Sequence, residues 1–244
     1  MDRPFSNVYE DESRASSYAD LEFPGTYYLA FRDLPDLISR HVRGNVALDF
    51  GCGAGRSTRF LKNLGFSVLG ADISEPMLMR AKARDPEGEY VLIPDGDLSS
   101  LEERRFDLVL CAFTFDNIPT HAMRSRLFKR LGCLLTQEGR IVNLVSAAEI
   151  YVHEWASFST KDFPENRAAK SGDTVRIVML DVADRRPVED IFWTDPDYRA
   201  LFSSAGLELL ETHRPLGRPS DPASWVSECK VSPWAIHVLG RPTW

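Results

Sequence analysis

Two acids set against a glycine-rich run are the residues in this chain best suited to hold a ligand. In ALDFGCGAGRST, Asp49 precedes Gly51, Cys52, Gly53, Ala54 and Gly55, and in GADISEPML a second acid, Asp72, falls 21 residues beyond Gly51. Glycines let the backbone bend tightly and let a ligand approach it closely. An acid at that spacing ends the following strand, where it can accept hydrogen bonds from both hydroxyls of a ribose. A dinucleotide fingerprint would also need glycine at position 56, but Arg56 stands there, and Asp49 is a poor neighbour for pyrophosphate. A nucleoside ligand with a positive centre and an amino group, and without phosphate, suits the pattern better.

Such a site needs a scaffold of alternating strands and helices, and the apolar runs supply one. VALDF (46–50), SVLGA (67–71), EYVLI (89–93), FDLVLCAF (106–113) and GRIVNLV (139–145) read as buried strands. Helices are predicted over 56–64, from Ser74-Glu75-Pro76 onward, and over 120–135, with Ser74 as an N-cap and Pro76 in the first turn. Strands alternating with helices imply a parallel sheet covered on both faces, and right-handed crossovers make it doubly wound. Upstream, helical spacing over 27–42 is interrupted at Pro35, which splits it into two short helices.

The rhythm breaks after Val145. Residues 146–174 are irregular and aromatic, and TVRIVMLDV (174–182) with PVEDIFW (187–193) reads as a hairpin across ADRR. Thr194-Asp195-Pro196 opens a helix that Gly206 stops, and LELLETH (207–213) and WAIHVL (234–239) supply two late strands. The predicted fold is therefore α/β: a doubly wound, seven-stranded, mostly parallel sheet with a β-rich cap inserted after strand five. The organisation expected is an N-terminal helical arm over 1–45, a ligand-binding core over 46–145 and 194–244, and a cap insertion over 146–193.

Composition narrows the function. At 244 residues with 43% apolar and 27% charged residues, the chain is an ordinary globular protein with no apolar run of membrane-spanning length. A net charge of −7 speaks against a broad nucleic-acid surface. The four cysteines, Cys52, Cys111, Cys133 and Cys229, form no CxxC pair, so reduced thiols and no metal site are expected. The first residues carry neither a basic region nor an apolar one of signal-peptide type, which makes a cytoplasmic address the expectation.

Taken together, the runs over residues 45–145 resemble the class I S-adenosylmethionine-dependent methyltransferases. ALDFGCGAG is similar to their glycine-rich first motif, and GADISEPML to the second-strand motif with its ribose-binding acid. PDGDL is similar to the adenine-side motif, and FDLVLCAFTFDNIP with LLTQEGRIVNLV to the fourth and fifth strands. The resemblance implies an S-adenosylmethionine cofactor and an S-adenosylhomocysteine product. Carried over by position, it implies that Gly51, Cys52 and Gly53 line the methionine portion, that Asp72 holds the ribose and that Ile73 and Met77 flank the adenine. Asp97 would accept from the adenine amine, the Leu98 amide would meet a ring nitrogen, and Phe113 would lie near the transferred methyl. Met77 reads equally well as helix-to-sheet core, Asp97 as a turn cap and Cys52 as a small packing residue. In the arm, ASSYAD is similar to an AxxYD element that closes over the cofactor, which would bring Tyr18 to it; the acid is displaced by one residue.

The whole chain, including FPGTYYLAFRDLP and EWASFSTKDFPEN, is similar to bacterial small-molecule methyltransferases. The implied reaction is methyl transfer to an oxygen or nitrogen of a small, cyclic metabolite, by in-line displacement driven mainly by positioning. Acceptor recognition is expected from Tyr28, Asp116, Tyr151 and Trp155, with His153 as the candidate base. If 151–155 is extended, Tyr151, His153 and Trp155 share one side. Two other readings compete: methylation of protein or RNA, and a cofactor-binding protein with a regulatory or non-methylating catalytic role.

Overall fold

The computed structural model describes residues 21–242. Two short helices, α1 (Gly25–Arg32) and α2 (Leu34–His41), precede the sheet, with Pro35 in the first turn of the second. Pro35 thus starts a helix instead of kinking a longer one. The core then alternates β1 (Val46–Phe50), α3 (Arg56–Asn63), β2 (Ser67–Asp72), α4 (Glu75–Arg84), β3 (Glu89–Leu92), β4 (Phe106–Ala112), α5 (His121–Cys133) and β5 (Leu135–Ser146). Next come β6 (Phe158–Ser159), β7 (Thr174–Met179) and β8 (Val188–Ile191), and last α6 (Asp195–Ser204), β9 (Glu208–His213) and β10 (Trp234–Gly240).

Seven strands form one sheet in the order β3-β2-β1-β4-β5-β10-β9, and β6-β7-β8 form a separate three-stranded sheet. Strands β1 to β5 pair in parallel, whereas β10 runs antiparallel to both β5 and β9. The predicted hairpin is β7 and β8, paired from Thr174 opposite Ile191 to Ile177 opposite Val188. Strand order reverses between β1 and β4, and in open α/β sheets ligands bind in the crevice beyond the strand ends at such a point.

Period-two alternation explains the burial. In β4, Leu108 and Leu110 face the core under α1 and α2, while Val109 and Cys111 face the core under α5 and α6. A sheet buried on both faces needs continuous apolar strands, as VALDF and FDLVLCA are. Local signals end the helices where expected: Ser74 Oγ accepts from the Met77 amide at 3.4 Å, and Gly206 leaves α6 with φ at 74°. No helix among the described residues is long and apolar enough to cross a membrane.

Candidate active site

The turn between β1 and α3 carries three glycines in the left-handed region, with φ of 75° at Gly51, 53° at Gly53 and 80° at Gly55. The amides of Gly51 and Cys52 donate to Ala71 O at 2.7 and 3.1 Å, which binds this turn to the end of β2. A Cβ on Gly51 would collide with Thr114, from the turn after β4. At Gly53 only Met77 Cε, at 3.3 Å, would be near. One glycine is thus needed for close chain packing, and the next leaves an open backbone surface.

Asp72 ends β2 and is almost wholly buried, with Oδ2 accepting from the Gly53 amide and Oδ1 from the Ser74 amide, each at 2.8 Å. A carboxylate oxygen can accept more than one hydrogen bond, so these two donors do not exhaust the group. Burial pushes its pKa up, opposed by those backbone donors. Asp49, the other acid beside the glycine run, is enclosed. It is fully buried: Oδ2 accepts from Ser57 Oγ at 2.7 Å and Thr58 Oγ1 at 2.6 Å, pinning the start of α3, and Oδ1 has no partner among the described residues. Burial pushes this carboxyl up to about 6. Its charge can reach a ligand only as a field beneath the glycine turn.

Around this cradle, Cys52 is buried with Sγ 3.8 Å from Gly53 O, and burial pushes its thiol pKa well up, so it is no nucleophile. Met77 is buried at the start of α4, and Ile73 packs partly buried against the α5 and α6 core. Leu98 is buried. Asp97 is exposed, accepting from the Ser99 amide at 3.2 Å, Ser99 Oγ at 2.6 Å and Arg130 at 2.9 Å, which hold its carboxyl below the usual range. Its neighbour Asp95 has a left-handed φ of 53°. Tyr18 lies outside the described residues.

Phe113, at the end of β4, is a non-glycine residue with φ at 63°. Such conformations cluster where function constrains the backbone. The Phe113 ring meets Trp234 at 4.8 Å and Tyr27 at 5.7 Å, and Tyr27 meets Phe158 at 5.1 Å, forming an aromatic wall from α1, β4, β6 and β10. Tyr28 packs partly buried beside this wall.

Sequence reasoning missed Arg56. Its guanidinium lies 5.0 Å from the Tyr27 ring centre, 5.4 Å from Phe31 and 5.7 Å from Phe23, and it donates to Glu22 O at 2.7 Å. The residue that departs from a phosphate-binding turn therefore holds residues 22 to 31 beside the cradle. Its departure from glycine was the available signal.

The expected acceptor residues are not gathered on one extended side. Residues Ala148–Tyr151 form a 3-10 turn, so the alternation expected for 151–155 does not arise. Tyr151 is buried and donates to Asp190 Oδ2 at 3.0 Å; Trp155 is buried and donates Nε1 to Ile150 O at 2.8 Å. His153 is partly exposed, its ring edge-on to Trp155 at 5.9 Å. Asp116 is buried under the β4 and β5 ends and bonded to Ser146. No cluster suited to a metal ion occurs among the described residues.

The doubly wound sheet brings an open glycine turn, a buried acid at the end of β2 and an arginine in place of a phosphate-binding glycine together at the strand ends where such folds hold ligands. Residues 48–143 match the family model of the methyltransferase domain. An uncharacterised methyltransferase of Geobacillus sp. (strain WCH70) is 29% identical over 146 residues, covering 58% of this chain and 67% of the relative. A ubiquinone biosynthesis O-methyltransferase of Pseudoalteromonas translucida is 32% identical over 79 residues, covering 31% of this chain and 34% of the relative. Among solved structures, the 1,6-didemethyltoxoflavin-N1-methyltransferase of Burkholderia thailandensis, with 1,6-didemethyltoxoflavin and S-adenosylhomocysteine bound, aligns over 100% of this chain and 94% of its own at TM-score 0.56 and 19% identity. Residues 48–143 are thus similar to a methyltransferase domain, and the solved neighbours share the fold of the whole chain.

Proposed function

We propose that this enzyme methylates an oxygen or nitrogen of a small, cyclic metabolite. The observation that carries the reading is the aromatic cluster of Tyr27, Phe113, Phe158 and Trp234 at the carboxyl end of the sheet, in which the three buried rings back the partly exposed Phe113 and leave it to present an apolar face to a ring. An acidic chain favours a small acceptor over RNA, and relatives include enzymes named for O- and N-methylation of small cyclic compounds. In this reading residues 1–45 form the arm, 46–145 and 194–244 the cofactor core, and 146–193 the acceptor cap, in a cytoplasmic setting.

Bound S-adenosylmethionine supplies an electrophilic methyl on a sulfonium. The proposed cradle is the backbone of Gly51, Cys52 and Gly53 for the methionine portion, Asp72 for the ribose, and Ile73, Met77, Asp97 and Leu98 around the adenine. Phe113 and the aromatic wall exclude water and orient the acceptor ring, and alignment alone can lower the barrier by about 7–11 kcal/mol. Tyr28, Asp116, Tyr151 and Trp155 shape the acceptor side, the last two by fixing the cap, and His153 is the candidate base at its rim.

The test is methyl transfer from labelled S-adenosylmethionine to a metabolite extract freed of macromolecules. Label recovered in a small cyclic product supports the reading. Label recovered only in the protein or RNA fraction would overturn it.

A further inference from the structure

Under the ends of β4 and β5 three ionisable side chains are buried together. Asp116 accepts from the Ser146 amide, at 3.2 and 3.1 Å to its two oxygens, and from Ser146 Oγ at 3.0 Å. Asp190, from β8, accepts from the Tyr151 hydroxyl at 3.0 Å. Arg124, from α5, is completely buried and donates Nε to Ile118 O at 2.7 Å and Nη1 to the Tyr198 hydroxyl at 2.9 Å. Its Nη2 has no partner among the described residues, and the Trp193 ring stacks on it at 4.7 Å. The cation therefore gives its hydrogen bonds to neutral groups.

The groups facing the two acids are Ser146 from β5, Tyr151 from the turn after it, Arg124 from α5 and Tyr198 from α6. Two buried carboxyls thus lie within the electrostatic reach of one buried guanidinium that bonds to neither. Full ionisation would leave one uncompensated negative charge there, and a proton relieves it at least cost. Burial pushes both acids upward, and the Asp190 carboxylate further disfavours ionisation of Asp116.

The pair adjoins the methyl-transfer mouth. Thr114 donates to Phe50 O at 2.8 Å beneath the glycine turn, and Asp116 lies two residues further along the same 3-10 turn, Thr114–Asn117. Ser146 is the register partner of Trp234, whose ring packs on Phe113. Ser146 is also only partly buried, whereas both carboxyls are enclosed.

We propose that Asp116 and Asp190 share one proton and form the store for the proton that the methyl acceptor gives up, reached through the Ser146 hydroxyl. This rests on the reading that the acceptor atom carries a hydrogen. In the transfer the S–CH3 bond breaks with its electron pair left on sulfur, and the bond from methyl to the acceptor atom forms. The acceptor's proton passes by way of Ser146 Oγ to the ionised carboxyl of the pair. The sulfonium charge disappears as the pair's negative charge is neutralised, so the site's total charge is unchanged. Asp116 and Asp190 act through Ser146 and are positioning residues.

The test uses the full chain with carbon-13 in its aspartate carboxyls, titrated by nuclear magnetic resonance with S-adenosylhomocysteine bound and again with S-adenosylmethionine bound. Two resonances, assigned by Asp116→Asn and Asp190→Asn, should titrate above the ordinary aspartate range. Each substitution should lower the remaining midpoint by about one pH unit or more, and the sulfonium ligand should lower both midpoints relative to the neutral sulfide. Ordinary midpoints, or no difference between the two ligands, would overturn the proposal; if one variant does not fold, the other and the ligand comparison decide it. This measurement needs no acceptor, so a failed acceptor screen bears only on the functional reading. With an acceptor in hand, Ser146→Ala and Asp116→Asn should each lower kcat about a hundred-fold and shift the acidic limb of its pH profile, with S-adenosylhomocysteine affinity within about two-fold of the parent. An unshifted limb would also overturn it.

Discussion

A Cβ placed on Gly51 would lie 2.3 Å from Thr114 Oγ1. The turn after β1 and the turn after β4 are therefore in contact at the point where strand order reverses, and Gly51 is held at φ of 75° there. Gly51→Ala meets both a steric overlap and an unfavourable backbone conformation, the latter alone worth about 1–3 kcal/mol. The variant should melt at lower temperature and bind S-adenosylhomocysteine at least ten-fold more weakly. Differential scanning fluorimetry and calorimetry measure the two effects, and parental affinity would show that the turn tolerates displacement.

Asp72→Ala removes the acceptor for the Gly53 and Ser74 amides as well as the proposed ribose ligand. Loss of charge-assisted hydrogen bonds should weaken S-adenosylhomocysteine binding by about 1–3 kcal/mol. Comparing adenosine with 2′-deoxyadenosine as competitors separates the contributions. The deoxy compound should lose affinity in the parent and lose none in the variant.

Arg56→Ala removes a guanidinium from three rings and from Glu22 O. Stacking of this kind is worth about 1–2 kcal/mol when partly desolvated. The amide of Tyr27, bonded to Pro24 O at 3.0 Å, should exchange hydrogen faster, while amides in β4 keep their protection. Uniform change across the chain would instead indicate global destabilisation.

Asp49 should make ligand binding at the glycine turn depend on pH. Its folded value of about 6 lies above the ordinary carboxyl range, so the group becomes neutral as pH falls through about 6 and its field beneath the glycine turn is lost. A cationic ligand should therefore bind more weakly at pH 5 than at pH 7.5, and Asp49→Asn should flatten that dependence. The raised value also has a stability consequence of fixed sign: it favours the folded state most below the unfolded pKa, and the contribution is lost as pH rises through about 6. Asp49→Asn should accordingly close the gap in denaturation free energy between acidic and neutral solution.

Glu228 is buried and accepts from Thr26 Oγ1 at 2.7 Å, and from the amides of Ala156, Val226 and Ser227 at 2.8, 2.8 and 3.0 Å. Glu228→Ala leaves four donors without their acceptor across α1, the cap and the segment before β10. A loss of about 3 kcal/mol or more is expected from buried donors left unpaired, read by urea denaturation. Glu228→Gln, which keeps one carbonyl acceptor, should recover part of it.

Much of the fold was legible because its signals are local. VALDF and FDLVLCAF announce strands buried on both faces, and Ser74, Pro76, Thr194 and Gly206 mark helix ends through conformational preferences within a few residues. The spacing of Gly51 and Asp72 could be read because one β-α-β unit fixes it. Thr26 and Glu228 are 202 residues apart in sequence, however, and no periodicity pairs them. Arg56 could be seen to depart from a phosphate-binding turn, but its partners Phe23, Tyr27 and Phe31 come from outside that turn. Likewise, the aromatic stretch after Val145 predicted a pocket, whereas tertiary packing buried Trp155 and tied Tyr151 to Asp190. Local backbone preference and hydrophobic alternation are properties of neighbouring residues, so the sequence alone specified the strands, the helices and the glycine turn. Which buried polar groups meet depends on how distant segments close together to exclude water, and that was decided only by the tertiary structure.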